Sequence, residues 1–237
     1  VMIGDTRTNA GVDNIATFRK LHLFETPGER AIGFASAGNL SVAQSVLSMV
    51  TEGFRNPESG EMERLLGVDT MFAAAQLVGR AVREVHRIGN LSKEQSQSGI
   101  FDVTILLGGQ VRGGRLRLFM VYPAGNFIES EPATPYFQLG ETKYGKPILE
   151  RILNPQTTLA QVAKCALLSF DGTIKANLSV DLPIDVLIYK ANSLSVGSHQ
   201  EINNGDRYFA DVCSAWSDGL LQIFDSIPNP PWAADNA

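Results

Sequence analysis

Cysteine is scarce in this chain of 237 residues: there are two, Cys165 and Cys213. Both fall in segments that read as helices, so packed, reduced thiols are the expectation, with a single disulfide as the alternative. The three histidines, His22, His86 and His199, have no partners at ligand spacing, so neither a metal nor a cofactor is expected. No apolar run approaches the roughly 18 residues of a membrane span, and no secretory signal is expected. A cytoplasmic location follows as the default. Positive charge is in deficit, 20 Lys and Arg against 25 Asp and Glu. That balance argues against nucleic acid or an anionic membrane as partner. The chain has no Gly-x-Ser-x-Gly elbow of a serine hydrolase. The Gly113-Gly114 pair is followed by neither a helix nor Lys-Ser/Thr, so it reads as a hairpin turn and not as a phosphate loop.

What is present is an ordinary globular composition, 44% hydrophobic and 19% charged. The length suffices to bury a large core without covalent staples. Residues 20–25 and 31–36 are apolar runs around a Pro27-Gly28 turn, hence a hairpin. A helix over 40–54 follows, capped by Asn39 or Ser41, and a second over 70–87, each with 3.6-residue apolar periodicity. Residues 55–67 read as a loop, and 90–99 as a mobile Ser/Gln/Lys-rich connection. Residues 101–107, 115–122 and 127–129 read as strands, with 136–139 extending the sheet and the glycines of 108–114 forming the connection. Helices follow, ending near Ile152 and spanning 158–174, then a strand over 183–190. A last helix over 206–224 turns Phe209, Val212, Cys213, Trp216, Leu220 and Ile223 inward. A Pro-rich extended tail carries Trp232. Strands in blocks, without strict alternation with helices, imply antiparallel sheets with helices layered outside.

Three features converge if the early strands pair as neighbours. Asp5 ends the first strand, and Lys20 begins the second. Gly38 stands at a strand-to-helix turn, where an N–H has no intrahelical partner. A buried lysine beside a carboxylate stays charged and lowers the pKa of nearby acid groups. A free N–H can hold a developing oxyanion, an effect of roughly 3 kcal/mol per donor. An acid and a base near a chain terminus suit a nucleophile whose base is the terminal amine. Val1 has nothing to attack with, so the sequence is read as starting inside its first element.

Asp5-Thr-Arg-Thr-Asn-Ala-Gly resembles the Asp-Ser-Arg-x-Thr-x-Gly segment of proteasome β-type subunits, with Lys20 at their active-site lysine and Ser36-Ala-Gly-Asn39 at their oxyanion segment. The blocks 8–13, 17–20, 36–39, 140–147, 175–180 and 182–185 resemble Anbu, the bacterial proteasome-related family, across nearly the whole chain. The resemblance implies an α+β fold, a four-layer αββα Ntn-hydrolase sandwich over a single domain, 1–237. It implies an N-terminal threonine nucleophile lying roughly a dozen residues before Val1. By the same resemblance Lys20 lowers the pKa of that threonine's amine, Asp5 orients Lys20, and the Gly38 N–H binds the oxyanion. Thr8, Phe18, Ser36 and Leu40 fall at the family's substrate-pocket positions.

There are two departures from the proteasome pattern. Its Gly-Ser-Gly segment is Gly140-Glu141-Thr142 here, so the Glu141 carboxylate either assists the terminal amine, ties it down as an ion pair, or pairs with Lys143 or Lys146 in an assembly contact. The second aspartate has three candidates, Asn177, Ser179 and Asp181. The expected function is hydrolysis of peptide or amide bonds through an acyl-enzyme, with peptides or unfolded chains as substrate. The family implies a homo-oligomer, a closed ring or an open helical washer; whether an ATPase unfoldase feeds it is left open. The alternatives are an assembly subunit with vestigial or narrow amidase activity, and an Ntn amidase acting on small molecules.

Overall fold

The computed structural model describes residues 1–9, 15–57, 59–89 and 99–232. In chain order the elements are β1 (Met2–Asp5), β2 (Arg7–Asn9), β3 (Ile15–Thr17), β4 (Leu21–Thr26), β5 (Arg30–Gly38), α1 (Leu40–Glu52), β6 (Phe54–Arg55), β7 (Met62–Glu63) and α2 (Met71–Ile88). The second half adds β8 (Val103–Val111), β9 (Arg117–Val121), β10 (Phe127–Glu129), α3 (Lys146–Ile152), α4 (Leu159–Ala176), β11 (Ile184–Ile188), β12 (Ser198–Ile202) and α5 (Arg207–Ser226).

Two antiparallel sheets carry the architecture, one of five strands in the order β10-β9-β8-β5-β4 and one of three in the order β1-β11-β12. Because strand side chains alternate between faces, β4 and β5 serve two layers at once. Phe24, Ile32 and Phe34 pack with Val42 and Val46 of α1 and Val78 of α2. The intervening Leu21, Ala31 and Ala35 pack instead with Leu187 and Tyr189 from the region of β11, between the sheets. The other face of the three-stranded sheet, Ile184 and Val186, packs with Leu167 of α4 and Phe209 of α5. The result is the expected αββα order of layers. The helices begin where their caps require: Asn39 accepts from the Val42 N–H, Thr70 from Ala73 and Thr158 from Gln161.

Several boundaries differ from the sequence reading. The first helix stops at Glu52, and Phe54 enters a two-residue pairing with β7 inside the segment read as loop. Strand β8 continues through Gly108 and Gly109. A Cβ on Gly109 would lie 2.2 Å from the Ala31 carbonyl oxygen, so glycine there lets two strands approach and does not make the turn. Residues 136–139 add no strand to either sheet. The pairing of β12 was missed because Ser-His-Gln-Glu-Ile has no apolar alternation; it is a polar edge strand. On α5 Phe209 is buried, but Leu220 and Ile223 are 48% and 61% exposed, so periodicity marked the helix and misassigned what covers its face. Leu159, the first residue of α4, is likewise exposed. The connection read over 90–99 lies, apart from Gly99, outside the described residues. Among the described residues no helix is long and apolar enough to cross a membrane.

Candidate active site

Asp5 and Lys20 do meet, though not as neighbours in a sheet. Strand β1 pairs with β11, Asp5 opposite Ile184, whereas Lys20 lies just ahead of β4 at the edge of the other sheet. Their contact therefore crosses the interface between the sheets. The Lys20 ammonium lies 2.8 Å from Asp5 Oδ1, with the side chains 24% and 11% exposed. The second oxygen, Oδ2, is buried without a hydrogen-bond partner. Burial pushes the Asp5 carboxyl above its ordinary range, and the charge and hydrogen bond of Lys20 work in the opposite direction.

Neighbouring backbone bonds fix both residues. The N–H and hydroxyl of Thr6 both donate to the Pro183 carbonyl, at 3.0 and 3.1 Å. Arg7 donates to Asp181 at 2.6 Å, and the Phe18 N–H donates to the Thr6 carbonyl at 2.7 Å. The Ser36 N–H donates to the Lys20 carbonyl at 3.1 Å. Since successive residues of a strand bond to opposite sides, Ala37 faces β8 and the Gly38 N–H points back to the side where β4 has not yet begun. Gly38 has φ +111°, and a Cβ there would lie 2.3 Å from the Asp102 carbonyl oxygen. Only glycine meets both requirements.

A cavity of about 840 Å³ is lined by Asp5, Lys20, Ser36, Gly38, Leu40 and Glu141 among others. Six of the eight residues singled out from the sequence thus share one space. Phe18, 36% exposed, is not part of its lining. Thr8 lies in β2 opposite Ala16, and its side chain is outside the described residues.

Glu141 lies in the loop before α3. Its Oε1 accepts from the Lys143 N–H at 3.0 Å and its Oε2 from the Asn177 amide at 3.1 Å. The Lys143 N–H chiefly holds this carboxyl below its ordinary range. Within the chain Lys143 offers Glu141 its backbone N–H, and Lys146 pairs with Glu150 at 3.4 Å. The three candidates for the second aspartate have separate places. Asn177 binds Glu141, Asp181 binds Arg7, and Ser179 lines the cavity. Both cysteines are free, Cys165 buried and Cys213 half-buried between α4 and α5, its thiol pushed up to about 11 by burial and by Asp171.

Solved structures similar to this chain share both its sequence and its fold. Anbu from Yersinia bercovieri is 46% identical with a TM-score of 0.87, covering 96% of this chain and 92% of that one. Anbu from Hyphomicrobium sp. strain MC1 is 44% identical with a TM-score of 0.85, over 96% and 93%. The Anbu complex from Pseudomonas aeruginosa, solved as a helical assembly, is 42% identical with a TM-score of 0.88, over 98% and 93%. The chain belongs to the Anbu family. No protein-family model matches it, and no curated protein does.

Within this Anbu chain the sequence reading missed the residues that brace the site. Arg7 stands inside the Asp-Thr-Arg block, and its partner Asp181, already a candidate for the second aspartate, lies between the 175–180 and 182–185 blocks; the pairing of the two was what the sequence did not show. Asp185 interrupts an apolar strand and is 1% exposed, a signal that a charge is buried for a reason. Arg19 reaches it at 3.2 Å.

Proposed function

We propose that this Anbu chain is a proteasome-like N-terminal threonine hydrolase that cleaves peptide or amide bonds through an acyl-enzyme, within a self-assembled oligomer. The reading is carried by one observation: the Lys20–Asp5 pair at 2.8 Å, partly buried at the wall of a cavity shared with Gly38. In this reading the family's threonine, placed before Val1 by the resemblance, presents its hydroxyl to the substrate carbonyl. The Lys20 cation lowers the pKa of the threonine's amine so that it accepts the hydroxyl proton. Asp5 keeps Lys20 charged and aimed. The oxygen that becomes negative accepts from the Gly38 N–H. Ser36 and Leu40 contact the substrate side chain, and Thr8 and Phe18 hold the family's other substrate-pocket positions by resemblance alone. Glu141 faces the amine in place of the proteasome's serine. The substrates are peptides or unfolded chains, and the working location is the cytoplasm.

The oligomer of this proposal has a surface available. Leu221, Phe224 and Ile227 near the end of α5 are 63%, 73% and 59% exposed, and Trp232 beyond them is 80% exposed. A contiguous apolar patch of this kind suits burial by another copy. The helical assembly of the Pseudomonas aeruginosa Anbu complex supports an open helical arrangement here.

The test is a threonine-directed electrophile applied to the mature full-length protein. A mass increase of one adduct on the N-terminal peptide, lost in Lys20→Ala, is expected. An unmodified protein, or unchanged reactivity in Lys20→Ala, overturns the proposal. The second reading, an assembly subunit with vestigial or narrow amidase activity, is favoured by Glu141, which stands where the resemblance puts the proteasome's serine and is engaged by Asn177. Hydrolysis of small acyl-amides but no peptides would select it.

A further inference from the structure

Asp185 is the most deeply buried charge described, 1% exposed, and neither of its oxygens makes a hydrogen bond. Removing a carboxylate from water without hydrogen bonds is costly unless charge compensates it. The compensating charge comes from Arg19, and an imidazole nitrogen lies on the other side. Arg19 Nε lies 3.2 Å from Oδ2, and His199 Nε2 lies 3.5 Å from Oδ1. The same guanidinium donates to Glu201 at 3.0 Å, and Glu201 is the cross-strand partner of Asp185. The Arg19 carbonyl is itself held by the His22 ring at 3.0 Å.

The placement of these groups is specific. Asp185 stands opposite Gly4 in the β1–β11 ladder, and Gly4 precedes Asp5. Arg19, its ion partner, precedes Lys20. Two ties therefore join the β1–β11 pair to successive residues of the segment ahead of β4: Asp185 with Arg19, and Asp5 with Lys20. A lysine has four rotatable side-chain bonds, so delivering its ammonium to a fixed point requires a fixed backbone at its base. Successive Cα atoms are about 3.8 Å apart, so pinning residue 19 constrains residue 20 directly.

We propose that Arg19 and Asp185 are the positioning pair of this site, locking the 18–20 segment against β11 so that Lys20 meets Asp5. Glu201 completes the lock from the rim. The inference rests on the reading of Lys20 given above only for its consequence in catalysis; the geometric claim is independent of it.

The experiment titrates the Asp5 carboxyl by carbon-13 NMR in the parent protein, Arg19→Ala, Arg19→Lys, Asp185→Asn and Glu201→Gln. Arg80→Ala, which breaks the remote Arg80–Glu63 pair, is the control. Lys20 lowers the Asp5 pKa, so a displaced Lys20 moves the Asp5 midpoint to higher pH. That upward shift is expected in Arg19→Ala and Asp185→Asn, with a smaller one in Glu201→Gln, recovery in Arg19→Lys and none in Arg80→Ala. An Asp5 midpoint unmoved in folded Arg19→Ala overturns the proposal. Where Arg19→Ala or Asp185→Asn fails to fold, an unmoved midpoint in the rim variant Glu201→Gln does the same. Because the titration needs no turnover, a shift in a protein that hydrolyses nothing upholds the positioning pair and removes the hydrolase reading.

Discussion

The Glu141 carboxylate accepts the amide of Asn177, one of the three candidates for the second aspartate, at 3.1 Å. The loop before α3 is thereby tied to the C-terminal end of α4. With the Lys143 N–H on its other oxygen, Glu141 has a set direction along the cavity wall. Substitutions at these two positions act as one unit, and their effects are expected not to add.

A depressed carboxyl pKa such as that of Glu141 contributes stability that is present above the unfolded-state value and lost as pH falls through the folded value. Thermal melts across the acidic range are therefore expected to show Glu141→Gln losing less stability on acidification than the parent. Asn177→Ala weakens the hold on Glu141 and gives an intermediate profile. Superimposable profiles for the parent and Glu141→Gln would remove this account.

For Asp5 the sign is opposite. Its carboxyl is raised, so its favourable contribution is complete below the unfolded value, about 3.9, and is lost as pH rises through the folded value. At neutral pH the ionised group is therefore a local burden on stability. Asp5→Asn is expected to melt no lower than the parent at pH 7 while electrophile modification slows by about 10²-fold or more. A large fall in melting temperature with undiminished reactivity would contradict both parts.

Gly38→Ala adds a Cβ at φ +111° within 2.3 Å of a backbone carbonyl oxygen. A destabilisation of about 1–3 kcal/mol is expected from the strained conformation, with a further contribution from the displaced β8. Chemical denaturation measures it. A difference below about 0.5 kcal/mol would show that the β5–α1 junction is more compliant than its geometry indicates.

Charging the exposed end of α5 tests the assembly surface. Leu221→Lys combined with Phe224→Lys touches side chains that are 63% and 73% exposed, so the melting temperature of the dissociated chain is expected to stay within a few degrees of the parent's. Sedimentation velocity is expected to show smaller species. Unaltered sedimentation would locate the contacts elsewhere.

The hairpin of β4 and β5 was legible because Pro27-Gly28 lies between two apolar runs and Gly28 takes φ +77°, as such a turn demands. The helices were legible from period and caps. Asp5, Lys20 and Gly38 were singled out as candidates from residue type together with family likeness, and they line one cavity. Less was visible where the pattern is the same for two different surroundings. Apolar periodicity over 207–226 is satisfied equally by a protein core and by open surface, and here Leu220 and Ile223 face outward.

Local codes thus sufficed for the turns, the caps and the choice of candidate groups, since each depends on a few residues adjacent in the chain. The partnership of those groups is a different matter. Asp5 belongs to the sheet of β11 and Lys20 to the edge of the other, and no short-range preference says which strands stack. Burial of Leu21, Ala31 and Leu187 between the sheets brings the two together, and the ties from Arg7 to Asp181 and from Arg19 to Asp185 exist only once that layer has closed.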